Sequence, residues 1–206
     1  MEEDSFYSHI EPSESDRILH GYGCDLVREY FSVARHVPVT HQPIVELATG
    51  TGRMIAVLST FAPSILTGDI TLHDLPRAHK RVPLQFRDRV SYLQLTMEHL
   101  PFCTDFIRSM ICMNTMHETE HPELCLMEMI RTIHPEGTLI VGDFNRKGFD
   151  VMQKVQQQVY HTDHHEGCIT TEQIRAILND SFNTVTAFET ELNLSYIASD
   201  KRSHQN

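Results

Sequence analysis

The stretch Ile44-Val45-Glu46-Leu47-Ala48-Thr49-Gly50-Thr51-Gly52-Arg53 constrains the fold of this chain more than any other. A short apolar strand with an acid near its end runs into a tight turn of small residues. The apolar run that follows, Met54-Ile55-Ala56-Val57-Leu58, suits a helix. Strand, glycine turn and helix start together make a nucleotide-type cofactor site. Small residues let the backbone approach a ligand closely, and the first helical turn offers unpaired N–H donors.

Spacing then separates one cofactor from another. A dinucleotide turn reads G-x-G-x-x-G, its third glycine packing helix on strand. Ile55 stands at that third position, which disfavours a dehydrogenase. No G-x-x-x-x-G-K-[ST] occurs, which excludes a P-loop. What remains is an acid followed by A-x-G-x-G. It resembles the first motif of class I S-adenosylmethionine (SAM)-dependent methyltransferases, E/D-x-G-x-G-x-G, with Ala48 in place of the first glycine.

Further stretches resemble the same family in the same order. Ser64-Ile65-Leu66-Thr67-Gly68, closing in Asp69-Ile70-Thr71, is similar to its second strand and terminal acid. Leu93 to Phe102 is similar to the "v-x-G-D-A-E-x-L-P-F" of the branch that includes ubiquinone- and menaquinone-biosynthesis methyltransferases, with Thr96 in place of the aspartate. Phe106 to Asn114 resembles the fourth strand, and Thr115-Met116-His117-Glu118 its "n-x-L-H-h" continuation. Glu128 to Gly137 resembles "E-x-x-R-V-L-K-P-G-G", and Thr138 to Phe144 the fifth strand. The resemblance spans residues 40–145.

It implies a single α/β domain over residues 1–206. The fold would be a Rossmann-like three-layer sandwich, with a seven-stranded, mostly parallel sheet ending in an antiparallel C-terminal hairpin. Residues 1–40 would form an N-terminal cap segment, 41–145 the cofactor-binding core, 146–198 the last helices and the hairpin, and 199–206 a frayed tail. The implied cofactor is SAM, with S-adenosylhomocysteine as product. Glu46 is expected near the methionine amino group, with Ala48, Gly50 and Gly52 giving close backbone approach. Asp69 would hold the ribose with Ile70 beside it. Thr96, Met97 and Glu98 would frame the adenine, and Asn114 would lie near the methionine moiety. A threonine hydroxyl at 96 can accept one hydrogen bond but lacks the charge-assisted strength of a carboxylate. Two other classes stay open: a SAM-binding protein without turnover, as a sensor or partner subunit, and an altered SAM-derived cofactor chemistry on the same fold.

Composition narrows the partner. The formal net charge is −11 with histidines neutral, and no basic cluster exceeds Lys80-Arg81. Nucleic-acid binding runs on many positive contacts, so DNA and RNA are disfavoured and a small-molecule acceptor fits better. No apolar run approaches the roughly 18 residues of a membrane span. The opening Met-Glu-Glu-Asp lacks a basic signal-peptide start, and the five cysteines form no C-x-x-C pair. Both features lead us to expect a cytoplasmic protein, monomeric or homodimeric, without disulfides.

Methyl transfer from a sulfonium is an in-line displacement from an excellent leaving group, so alignment matters most. A general base is needed only for an acceptor that is protonated at working pH. His117, following the fourth strand, is the candidate base; its alternative is a structural role within the "L-H-h" stretch. Tyr22 and the segment from His161 to Cys168 are the candidate acceptor wall, with His161, His164 and His165 facing the substrate. That segment holds three histidines, two carboxylates and a cysteine, all capable metal ligands. It lacks an H-E-x-x-H, however, and Gly167 with a Thr170 cap marks a loop, so no metal site is assigned. A metalloid-binding cysteine set from Cys103, Cys112 and Cys125 is the remaining option, though the latter two read as small apolar core residues. Arg53 is placed either at the methionine carboxylate or in solvent.

Overall fold

A computed structural model describes residues 9–165 and 167–203. Glu166 and the end of the tail, residues 204–206, lie outside the described residues, as do residues 1–8. The short apolar runs form the strands β1 (Ile44–Leu47), β2 (Ile65–Asp69), β3 (Val90–Gln94), β4 (Ile107–Met113) and β5 (Ile133–Phe144). These pair in parallel, and the C-terminal strands β6 (Phe182–Glu189) and β7 (Asn193–Lys201) form an antiparallel hairpin with β7 against β5. The sheet order is β3-β2-β1-β4-β5-β7-β6. This is the seven-stranded, mostly parallel sheet that the sequence predicts.

A strand's side chains alternate between faces, so a sheet covered on both sides needs apolar residues at successive positions. Ile111 and Met113 of β4 point into one core with Ile44 and Ile140, while Met110 and Cys112 point into the other with Val45 and Leu139. The first core is closed by α1 (Glu14–Gly21), α2 (Leu26–Ala34), α3 (Arg53–Ser59) and α6 (Arg146–Tyr160). The second is closed by α5 (Pro122–Thr132) and α7 (Thr171–Ser181). A further short helix, α4 (Leu75–Arg81), joins β2 to the segment before β3. The result is the three-layer sandwich. No helix among the described residues is long and apolar enough to cross a membrane.

Three local expectations are corrected. Residues 199–201 are not frayed: β7 continues to Lys201, whose ammonium donates to Asp105 at 2.6 Å and to the Ile133 carbonyl at 3.0 Å. The strand expected from Thr138 begins at Ile133, and its register against β4 shifts between Ile107 and Ser109. The polar start of the N-terminal cap segment, expected without a helix of its own, contains α1, opened by a capping box in which Ser13 and Asp16 satisfy each other's backbone N–H.

Candidate active site

Parallel topology brings the C-terminal ends of β1, β2 and β4 to one edge, and a cavity of about 480 Å³ opens there. Its wall includes Glu46, Ala48, Gly50, Asp69, Ile70, Thr96, Met97, Glu98 and Asn114. The sequence-predicted cofactor residues are therefore gathered around one space, with Gly52 the exception. Gly52 caps α3 at φ +81°, and a Cβ there would lie 2.6 Å from the Ala78 Cα. Its smallness lets α4 pack close; it does not face the cavity.

The turn is held by the acid that ends β2. Asp69 accepts from the Gly50 N–H at 2.8 Å and the Thr71 N–H at 3.2 Å. A carboxylate has about four acceptor positions, so capacity remains for ligand hydroxyls. Gly50 has φ +47°, and a Cβ there would meet no atom nearer than 4.0 Å, so its backbone faces open space. Asn114, also in the left-handed region at φ 53°, donates from Nδ2 to the Tyr30 hydroxyl at 3.0 Å. Its Oδ1 is buried with no hydrogen-bond partner. An orphaned acceptor in a cavity wall is a place for a ligand's donor.

Charge sets the character of this space. Glu46, Asp69, Glu98, Glu118 and Glu120 line it, against one cation, Arg53. Glu46 is 2% exposed, and burial pushes its carboxyl up to about 8 despite a hydrogen bond with the Thr67 hydroxyl. Thr67 in turn meets the Thr49 hydroxyl at 2.5 Å. A buried acid of this kind favours a cationic neighbour, which would return it to the ionised form.

Arg53 lines the cavity and is not in open solvent, its guanidinium being held by Asp16. Its Nε and Nη2 donate to Asp16 at 3.0 and 2.9 Å, and its guanidinium lies 5.7 Å from the Tyr30 ring centroid. Arg81 pairs with the other oxygen of Asp16. A carboxylate buried in α1 requires such partners, and it takes both arginines.

The residues expected on the acceptor wall do not line this cavity. Tyr22 does not line the cavity: its hydroxyl accepts from Gln158 at 2.9 Å and Lys154 sits over its ring, so it docks α1 on α6. Tyr30 of α2 is the aromatic residue at the cavity instead. His161, His164 and His165 are likewise off the cavity wall. His161 caps α6 in the left-handed conformation, and His165 Nδ1 accepts from the Gly167 N–H at 2.9 Å. His164 packs on His117 with ring centroids 5.0 Å apart. The physical cause is Gly167, at φ +79°, where a Cβ would come within 2.5 Å of the His117 backbone. The loop thus folds down on the segment after β4 and does not line the cavity.

His117 is 1% exposed and does not line the cavity either. Its Nδ1 bonds Asp143 at 2.6 Å, and its backbone N–H donates to the other Asp143 oxygen at 3.0 Å. Cys112 and Cys125 are buried core residues, as the sequence suggests. Burial raises the Cys125 thiol to about 11 and pushes the Cys112 thiol well above its usual value, so neither is a ready thiolate for a metalloid. Sequence reasoning missed Asp16, Tyr30 and Asp143. Only the Ser13-x-x-Asp16 cap was a readable signal; the other two have partners more than twenty residues away.

Comparison with known proteins agrees with this fold. A family profile described as "Methyltransferase domain" matches residues 45–141. Demethylmenaquinone methyltransferase of Clavibacter sepedonicus is 26% identical over 124 residues, covering 57% of this chain and 50% of the relative. The ubiquinone/menaquinone biosynthesis C-methyltransferase UbiE of Shewanella halifaxensis is 28% identical over 118 residues, covering 54% of this chain and 46% of the relative. The matched part thus spans about half the length of these curated relatives. Among solved structures, a SAM-dependent methyltransferase from Thermotoga maritima superposes with a TM-score of 0.63 at 19% identity, covering 89% of this chain and 92% of that one.

Proposed function

We propose that this chain, which matches a methyltransferase domain profile over residues 45–141, moves the methyl group of SAM to a small-molecule acceptor by in-line displacement. The observation that carries the reading is the acidic cavity at the strand ends, with Asp69 at one side and the orphaned Asn114 Oδ1 at the other. When bound, the cofactor supplies a methyl group on a sulfonium leaving group. The chain's own residues bind and orient it. Asp69 accepts from the ribose hydroxyls, and Thr96 with the Met97 backbone receives the adenine edge. Glu46 and Asn114 Oδ1 accept from the methionine ammonium. Gly50 leaves the backbone bare against the ligand, and Tyr30 closes the wall from α2.

No histidine reaches the cavity among the described residues, so His117 is assigned a positioning role through Asp143 and no part as the base. Glu118 and Glu120 line the cavity and offer carboxylates to an acceptor. The absence of the histidine loop from the wall is also what favours a second reading, SAM binding without turnover. An altered, carboxylated cofactor finds no support, since the cation on the wall, Arg53, is paired with Asp16. Free cysteines and the acidic surface fit a cytoplasmic enzyme acting on a small molecule.

The test is incubation with methyl-labelled SAM and a panel of small phenols, thiols and amines. Label appearing in a panel compound, and lost with Asp69→Ala, supports methyl transfer. Label that stays on SAM in every case, under conditions where the protein is saturated, contradicts turnover and leaves the binding-only reading.

A further inference from the structure

We propose that His117, Glu118 and His164 form a binding site for a divalent transition cation of the zinc class, beside the cavity. One ligand atom from each residue lies within 4.8 Å of the others. His117 Nε2 and Glu118 Oε1 are 3.8 Å apart. Donor atoms on a tetrahedral zinc with bonds near 2.0 Å are about 3.3 Å apart, so a small contraction brings the set onto an ion.

The chemistry around His117 is that of a prepared ligand. Asp143 accepts the His117 and Phe144 backbone N–H groups at 3.0 and 2.9 Å as well as bonding Nδ1. An ionised carboxylate can only accept, which assigns the ring proton to Nδ1 and leaves the lone pair on Nε2. That atom is buried and has no hydrogen-bond partner in the structure. A carboxylate behind a ligating histidine fixes the tautomer and raises basicity, and it is the usual support of a metal-bound imidazole. Phe144 and Phe149 wall the His117 ring at 5.7 and 5.2 Å between centroids, which lowers the local dielectric.

His164 is held in place independently of any ion. Its backbone N–H donates to the Gln153 side chain at 2.7 Å, and Gly167 presses the loop onto the His117 backbone. The loop's folding away from the cavity thereby acquires a use. Two imidazoles and a carboxylate suit zinc and its neighbours in the first transition row better than magnesium or calcium. Three protein ligands leave a position open, the arrangement of catalytic rather than structural zinc sites. Glu118 belongs to both the cluster and the cavity wall, so the open position is reached from the cavity by water or an acceptor oxygen. The site does not depend on the methyl-transfer reading, because metal binding is measured directly.

Tag-free protein, stripped with chelator and dialysed, is titrated with Co²⁺ while visible absorbance is followed, and Zn²⁺ is then used to displace it. One equivalent with d–d bands of a low-coordinate site is expected. Glu118→Gln, at an exposed side chain, and His164→Phe should each weaken binding at least about tenfold. His161→Ala, at an exposed histidine outside the cluster, should leave it unchanged. Circular dichroism confirms that each variant is folded. No stoichiometric binding overturns the proposal. So does binding that survives both Glu118→Gln and His164→Phe, because the ion then sits on other histidines.

Discussion

Glu46 and Ala48 show how much individual residues on this turn give up for the site. Burial is the largest influence on Glu46, and it raises the carboxyl to about 8, whereas an unfolded chain titrates near 4.5. Between those values the native state holds a proton that the unfolded state has released. Stability from this group is therefore full below the unfolded pKa and falls as pH rises towards 8, by at most about 1.4 kcal/mol per unit. Urea denaturation across this window should show Glu46→Gln losing less stability with rising pH than the parent; parallel profiles would contradict a protonated Glu46. Ala48 sits at φ 64°, where a Cβ costs about 1–2 kcal/mol. Ala48→Gly should raise the thermal midpoint, the relief of strain being only partly offset by glycine's extra chain entropy. A lowered midpoint would show that the Cβ packs favourably. At this scale most of the residues that line the cavity were legible, because strand ends and turns are local and topology gathers them. Arg53 was not, since its fate is decided by Asp16, in another element.

Among elements, α1 anchors the cavity-lining Arg53 through Asp16, and the loop between α6 and α7 packs on the segment after β4. Asp16 is almost fully buried in α1. Desolvation would raise its carboxyl, but Arg53 and Arg81 outweigh this and hold it below its usual value. Its stabilisation is therefore present above the unfolded pKa and is lost as acid protonates it through the lower, folded value. Removing one partner of a buried ion pair costs about 3–5 kcal/mol because the others remain unpaired. Asp16→Ala should approach that loss in chemical denaturation; a change under about 0.5 kcal/mol would mean that α1 contributes little to the domain. Gly167→Ala should lift the loop from His117 and raise its amide exchange relative to α7, whereas unchanged exchange would contradict the close contact. The strands were readable as apolar runs. The start of β5 was hidden by the His134-Pro135-Glu136-Gly137 irregularity, and α1 is too short and polar to show a period. The histidine loop was read as substrate-facing from composition alone, which carries no information about which surface Gly167 will press against.

For the whole molecule, the sheet order puts the reversal of strand order between the parallel neighbours β1 and β4, and the cavity opens at that crevice, as doubly wound sheets do. Helix α2 lines it on one side through Tyr30. Glu29 of α2 accepts from the Leu192 N–H at 3.0 Å and the Thr190 hydroxyl at 2.6 Å, tying that helix to the β6–β7 turn. The central claim is that this crevice binds SAM through Asp69 and Glu46. Isothermal titration of ligand-stripped protein with SAM, and separately with S-adenosylhomocysteine, addresses it most directly, run at neutral pH in two buffers of different ionisation enthalpy. The expected result is saturable binding to a single site that releases a proton as Glu46 meets the ammonium and is lost in Asp69→Ala. Absence of binding by both ligands to folded protein would contradict it and would mean that the crevice serves a different molecule.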